Sequence, residues 1–527
     1  MNTHYSEQKN SFVNTGINTS VIQHLYKVKK EHATAIAAKD ESQIIDYVSL
    51  FTQAECVALA LQKQLKPRAK VALAANNHIP HLVAYLAIFL GGFVWVPLNP
   101  KNGGQLNKLL IEQSEPALVI VDEDCFANLS GVINSSRDLV IWMLDECIIK
   151  SQHDNVKKVF VPASWLPQHT MAIKFTGGST GIPKGVVQSF NNVCAVIDNM
   201  QAFYGFSSAD KNLAVAPITH GGSHYLLTIL LAGGQHIFLA NPNAKAVLHE
   251  LTQSGITISF MPPTLIYKLM AEPTKKQHTF AQLRHITYSA APMPAKKIAQ
   301  VIAMFGPKLS TLYGQTEAPL TVSALSTSDM LDHTLQNSVG RACKHSHIRI
   351  MDNNEEQLAP FQIGEIQVSG GIVMPGYYKN RGMTQQVLQN NWLRTGDLGY
   401  VDERGYLFLS GRSKELIISG GFNVYPVEVE NAICALAGVK ECAVVGVVDE
   451  YWGESVHAAV CLEQQDNESE TWTVETMRQA LAESLGNIKT PKNIVFVDSL
   501  PRNPVGKVVK ADIKKLIISH LIGQPLC

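Results

Sequence analysis

From about residue 45 to residue 340, short apolar runs alternate with longer segments of helical periodicity. The runs at 70–74, 117–121, 256–260 and 286–289 read as strands, and 295–305 reads as an amphipathic helix. The stretch 82–98 is almost wholly apolar. Gly91, Gly92 and Pro97 interrupt it, and a membrane span needs about 20 apolar residues. A buried helix, a glycine turn and a buried strand over 93–98 account for it better. Residues 226–231, Gly233-Gly234 and 236–240 repeat the same order. Strands this uniformly apolar belong to a sheet covered on both faces, so the pattern is α/β. From about 338 to 410 the texture changes. Short β runs at 347–351, 365–369 and 406–409, separated by Gly, Pro and Asn, predict a small antiparallel sheet or barrel. A third region starts near Gly411. Pro426 opens a helix to about Leu436, since proline suits the first turn. Strands at 443–448 and 457–462 follow, then a helix over 474–485 with Thr473 as N-cap. A strand at 493–497 and a helix over 510–521 complete an α/β unit of about 115 residues, within the usual domain range. A short charged hinge at 411–414 precedes it, so the division is residues 1–410 and 411–527.

Composition changes this picture little. The chain has 527 residues, 46% hydrophobic and 17% charged, which is globular and large enough for several cores. Lys+Arg and Asp+Glu both number 44, so no basic excess points to nucleic acid. Nine cysteines without Cys-x-x-Cys or zinc spacing fit reduced thiols. Residues 1–20 are polar and lack the apolar core of a signal peptide. A cytoplasmic protein without a transmembrane segment is the expectation.

The candidate chemistry lies in four loops. Thr176, Gly177, Gly178, Ser179, Thr180, Gly181, Ile182, Pro183, Lys184 and Gly185 follow an apolar strand and precede a helix starting near Ser189 or Asn191. Glycines let backbone N–H groups approach an anion, and hydroxyls and an ammonium add donors. The loop reads as a phosphate cradle, with an ordinary flexible loop as the alternative. It fails the Walker A and Rossmann spacings, which removes kinase-type and dinucleotide sites. Tyr313-Gly314-Gln315-Thr316-Glu317 follows a short strand over 309–312, and its carboxylate suits magnesium. Asp397 lies between Gly396 and Gly399 at an expected turn, where it could bind sugar hydroxyls or simply form an Asx-turn. Arg412, in Gly411-Arg412-Ser413-Lys414-Glu415, is a candidate phosphate or ribose contact. Lys507 closes Pro501-Arg502-Asn503-Pro504-Val505-Gly506-Lys507, a loop able to enter and leave a site.

In this order and spacing, the four loops resemble the adenylate-forming superfamily of acyl-CoA synthetases, peptide-synthetase adenylation domains and luciferases. The likeness runs from about residue 30 to 520. It includes Pro97-Leu98-Asn99-Pro100, Pro217-Ile218-Thr219-His220-Gly221, Ser289-Ala290-Ala291-Pro292 and Val339-Gly340-Arg341. It continues through Gly420-Gly421-Phe422-Asn423-Val424-Tyr425-Pro426, Val445-Gly446-Val447-Val448-Asp449 and Trp452-Gly453-Glu454. The chain looks most like an AMP-forming fatty- or aryl-acid–CoA ligase. The resemblance implies a large N-terminal domain of two α/β subdomains plus a small β-barrel-like subdomain. A small mobile α+β C-terminal domain, carrying the catalytic lysine, would follow.

It also implies roles. Thr176 to Lys184 would hold the ATP β- and γ-phosphates. Ser289, Ala290, Ala291, Pro292 and Tyr313 would line the adenine site, and Gly314 and Gln315 would also belong to the nucleotide site. Thr316 would touch phosphate and Glu317 would ligate Mg²⁺. Asp397 would bind the ribose, with Arg412 nearby. Lys507 would bridge the acyl carboxylate and the α-phosphate. Lys414 would be the hinge. His220 would stand between the acyl pocket and a thiol tunnel lined by Gly420 and Gly421. ATP, Mg²⁺ and CoA, or the phosphopantetheine of a carrier protein, would be the cofactors.

The acid is read from small residues. Where acetate-type members carry tryptophan, this chain has Gly314, which would leave the pocket open. Gly221, Gly222, Ala290 and Ala291 are also small. Residues 221–227 and 260–264 offer no charged partner for a second carboxylate or amine, so an apolar acid is expected: a medium- or long-chain fatty acid, or an aryl acid. A stand-alone acyl-AMP ligase loading a carrier protein is the main alternative. No carrier-type domain is expected after Lys507. A luciferase-type oxidation and a non-catalytic nucleotide-binding relative are further alternatives, the last opposed by intact Glu317, Asp397, Arg412 and Lys507.

Overall fold

The computed structural model describes residues 20–133, 139–155, 158–176, 183–272, 279–463, 472–503 and 506–523. The apolar runs become the inner strands of two large sheets. In the seven-stranded sheet the order is Gly376–Tyr377, Lys184–Ser189, Thr170–Thr176, Val94–Leu98, Lys70–Ala74, Leu118–Val121 and Val140–Met143. Its strands are parallel from Thr170–Thr176 to Val140–Met143 and antiparallel at the other edge. The nine-stranded sheet runs parallel from Leu309–Tyr313 through His285–Tyr288, Ile258–Phe260, Lys211–Ala214 and Gln235–Phe238 to Ile36–Lys39. Ser323–Leu325, Arg341–Ala342 and Ile44–Asp46 add antiparallel edges.

The apolar stretch after residue 78 shows why patterning suffices here. His78 caps the helix Ile79–Gly91 by accepting from the His81 amide, and Pro80 sits in its first turn. Gly92 ends the helix in the left-handed region at φ 80°. Val94–Leu98 then enters the sheet with every residue buried. Among the described residues, no helix is long and apolar enough to cross a membrane.

Residues 347–412 form a five-stranded antiparallel sheet: His347–Met351, Gly364–Ser369, Trp392–Val401 and Leu388–Gln389, with Leu407–Arg412 also paired to Trp392–Val401. The break expected at Gly411 falls inside this last strand. The chain leaves the sheet one residue later, through the single 3-10 turn Ser413–Glu415. Two corrections to the sequence reading belong here. Asp397 lies within a strand and not at a turn, and Lys184–Ser189 is a strand that the glycine-rich composition concealed.

Beyond the turn, Gly453–Leu462 pairs antiparallel with Val439–Asp449 and parallel with Asn493–Phe496, and it meets Ile417–Ser419 at one position. The helices Pro426–Ala435 and Val474–Lys489 bury Val429, Ile433, Met477 and Leu481 on one side of this sheet. Lys510–Leu521 buries Ile513 and Ile517 on the other. Thr473 is the N-cap of the second helix, and Gly486 at φ 73° breaks its last turn.

Candidate active site

Thr176 and Lys184 face one another directly across an antiparallel hairpin. The loop between them therefore starts and ends at one point on the sheet edge. Gly177, Gly178, Ser179, Thr180 and Gly181 lie outside the described residues. The strand that follows ends at Ser189, whose side chain caps the helix Phe190–Tyr204 in a reciprocal box with Asn192. Lys184 Nζ lies 5.6 Å from the Tyr377 ring centre. Tyr377 OH donates to Glu317 Oε1 at 2.8 Å, so the loop's lysine and the candidate metal ligand share one tyrosine.

Asp397 is the most heavily contacted of the expected carboxylates. Tyr313 OH and Gln315 Nε2 donate to its Oδ2 at 2.7 and 2.6 Å. Arg412 Nε stands 3.2 Å from Oδ1, and the two residues are cross-strand partners. Burial and the Asp397 charge hold the Tyr313 phenol far above its ordinary range, so it keeps the proton it donates to Asp397. The turn at Tyr313–Gln315 and the neighbouring strand at Arg412 thus meet on one buried carboxylate. Gln188 Nε2 donates to the Thr316 carbonyl, and the Met374 amide to the Glu317 carbonyl, which fixes the turn carrying both.

Gly314 has a packing reason independent of any acid. A Cβ there would stand 2.4 Å from the Leu320 nitrogen, and Leu320 itself sits at φ 57°. The glycine thus permits two backbones to touch, and the open pocket read from it no longer follows from that position alone. Ser289, Ala290, Ala291 and Pro292 follow the strand His285–Tyr288 as a rim, with Ala290 exposed at φ 75°.

Lys507 reaches this cluster from the C-terminal region. Its backbone N–H donates to Asn503 Oδ1, and its carbonyl accepts from the Asn503 amide, both at 2.9 Å. Gly506 at φ 85° brings the loop against Thr264, where a Cβ would lie 3.4 Å from Oγ1. The amine is open to solvent but crowded by protein. Desolvation and then Arg412 lower its pKa, while Asp397 and Glu317 act in the opposite sense. His220 accompanies it. Its Nδ1 lies 3.0 Å from Thr219 Oγ1. Desolvation, Lys174 and Lys507 push the imidazole down to about 4, so it is neutral at ordinary pH.

Lys414 lies in the turn after Arg412. Ser413 Oγ donates to the Gly396 carbonyl on one side of that turn, and Glu415 pairs with Lys510 on the other. Gly420 and Gly421 form the two-residue loop of a hairpin, at φ 56° and 81°. A Cβ on Gly420 would come within 2.7 Å of the Trp452 ring.

The structure adds residues that sequence reasoning passed over. Tyr377 and Gln188 act through contacts distant in sequence; the Gly370–Gly376 stretch before Tyr377 was their one local signal. Lys174 had its own: it interrupts the apolar strand Met-Ala-Ile-Lys-Phe, yet is buried. Among the described residues, no group of three or more His, Cys, Asp or Glu side chains could hold a metal.

The family model described as AMP-binding enzyme matches residues 25–378, and the AMP-binding enzyme C-terminal domain matches residues 428–507. An indoleacetate–CoA ligase of Aromatoleum aromaticum is 30% identical, over 90% of this chain and 93% of the relative. The medium/long-chain-fatty-acid–CoA ligase FadD8 of Mycobacterium tuberculosis is also 30% identical, over 67% of this chain and 62% of its own. Among solved structures, the amide bond synthetase McbA of Marinactinospora thermotolerans superposes with a TM-score of 0.85 at 26% identity, covering 94% of this chain and 99% of that one.

Proposed function

The chain belongs to the AMP-binding enzyme family, among whose members its relatives are acid–CoA ligases, and from that premise we propose that its acid has an apolar body, either a medium- or long-chain fatty acid or an aryl acid. The observation that carries adenylation is that Lys507, from the C-terminal region, lies within electrostatic reach of Glu317, Asp397 and Arg412. A carboxylate attacking the α-phosphorus of ATP builds negative charge, and a positioned ammonium stabilises it. Lys507 would bridge the two reactants. Asp397, already met by Tyr313, Gln315 and Arg412, would accept hydrogen bonds from the ribose hydroxyls. Thr176, Lys184 and Thr316 would hold phosphate oxygens, and the segment Ser289 to Pro292 with Tyr313 would border the adenine. Neutral His220 would stand at the mouth of the acyl pocket without adding charge there.

Glu317 has one carboxylate oxygen engaged by Tyr377. A single protein carboxylate fits Mg²⁺, which takes its other ligands from phosphate and water. When bound, the ion would neutralise charge on the departing pyrophosphate.

The Gly420–Gly421 hairpin, with Trp452 against it, would line the path of a pantetheine arm, and Lys414 would be the pivot for its approach. The test is ATP–pyrophosphate exchange across a panel of fatty, aryl and short acids. Exchange with apolar acids and weak exchange with acetate are expected. No exchange with any acid would refute adenylation. Thioester formation with free CoA against a phosphopantetheinyl carrier then identifies the acceptor, with CoA expected.

A further inference from the structure

Lys174 lies in the strand Thr170–Thr176 and is only 6% exposed. A buried ammonium is costly unless paired. Among the described residues, no carboxylate pairs with it. Its Nζ donates to Ser223 Oγ at 2.7 Å and lies 3.2 Å from His224 Nε2. Desolvation pushes the amine down to about 7. Trp95 lies beside it, with its ring centre 5.4 Å from Nζ. The indole is 4% exposed, and its buried Nε1–H has no hydrogen-bond partner. Buried indole N–H groups usually have an acceptor.

Both donors line one cavity, whose other walls include Tyr85, Ile88, Phe89 and Leu227. It is narrow: about 20 Å³ admits the centre of a water-sized sphere, within about 460 Å³ of atom-free space that includes open solvent at its mouth. The walls are mainly apolar, and one end carries an amine and an indole N–H without an acidic group. That end is joined to His220, because Ser223 Oγ donates to the His220 carbonyl at 2.6 Å. His220 in turn lies within electrostatic reach of both Lys174 and Lys507.

We propose that this cavity receives the far end of the acid, and that this end carries an oxygen acceptor, a ketone or a second carboxylate, held by Lys174 Nζ and Trp95 Nε1. The inference rests on the adenylation reading above. The reacting carboxylate meets Lys507 on one side of His220, and the distal oxygen meets Lys174 on the other. The charge missing from residues 221–227 and 260–264 is supplied by a different strand. A plain hydrocarbon end would leave Trp95 Nε1 unpaired and Lys174 without a counter-charge, and such sites discriminate strongly against analogues lacking the matching group.

Exchange assays on the full chain test this with matched acids: octanoate, oxo-octanoate and octanedioate, and phenylpropanoate with its para-acetyl and para-carboxy forms. In the wild type, at least one acceptor-bearing acid should exceed its plain counterpart in kcat/KM by about tenfold or more. In Lys174→Met and in Trp95→Phe that ratio should fall toward one, mainly through KM. Equal or better use of the plain acids by the wild type would overturn the inference, and this holds even if a variant fails to fold. So would a ratio unchanged in both variants. Exchange with no acid at all would instead remove the adenylation reading on which it stands.

Discussion

At the residue scale, the site divides into groups that contact the reactants and groups that hold those groups still. Lys507 is proposed to be of the first kind. Lys507→Ala should lower ATP–pyrophosphate exchange roughly 10²–10³-fold, the usual cost of losing a positioned charge stabiliser. It should largely spare thioester formation from supplied acyl-AMP, and comparable loss of both half-reactions would contradict the assignment. Asp397→Asn removes the charge to which Tyr313, Gln315 and Arg412 are aimed. Hydrogen bonds to a charged group contribute about 1.5–3 kcal/mol. The KM for ATP should therefore rise about tenfold or more, measurable in the same assay. The contact residues were legible because glycine and proline mark the loops that carry them. Tyr377 was not, because it meets Glu317 across 60 residues of chain, and the Gly370–Gly376 stretch before it was not read as part of a site. Lys174 was visible as a break in an apolar strand, but only packing revealed that it is buried there.

At the element scale, the apolar runs translate almost directly into strands, and the caps fall where a side-chain acceptor (Thr473) or the backbone freedom of glycine (Gly92) puts them. The glycine-rich segments misled. Gly396 and Gly399 suggested a turn around Asp397, yet both belong to the strand Trp392–Val401. A Cβ on Gly399 would lie 2.2 Å from the Phe408 carbonyl oxygen, so that glycine admits a neighbouring strand and reverses nothing. Gly314 behaves likewise against Leu320. Gly314→Ala should destabilise the chain by about 2–4 kcal/mol, within the range for forced backbone strain. It should also weaken ATP binding, because Tyr313 and Gln315 flank it. Urea denaturation and a nucleotide titration would measure the two effects. A variant of unchanged stability would show that the turn relaxes at little cost.

At the scale of the whole molecule, the cores hold histidines that cannot readily accept a proton. His81 and His236 are both 0% exposed, and desolvation pushes each down to about 4. Between that value and the ordinary value of about 6.5, the unfolded chain binds more protons than the folded one, so stability falls as pH drops through this window. At pH 5 the loss should approach about 2 kcal/mol for each histidine. Urea midpoints at pH 7 and pH 5 would reveal it, and equal midpoints would contradict it. The large domain and the C-terminal region also meet through Lys297 and Glu463, 3.0 Å apart. A single partly exposed pair contributes at most about 1 kcal/mol, so Lys297→Ala should change exchange rates less than about fivefold. The strand that ends at Arg412 bears on both regions at once. Arg412 pairs with the candidate ribose carboxylate, and the next residues, Ser413–Glu415, carry the chain out of the sheet. If the ribose binds Asp397 and the chain pivots at Ser413–Glu415, nucleotide occupancy and the setting of that joint share a coupling free energy, and such coupling is reciprocal. A thiol acceptor that favours a different setting of the joint must loosen the nucleotide by the same factor by which the nucleotide disfavours the acceptor.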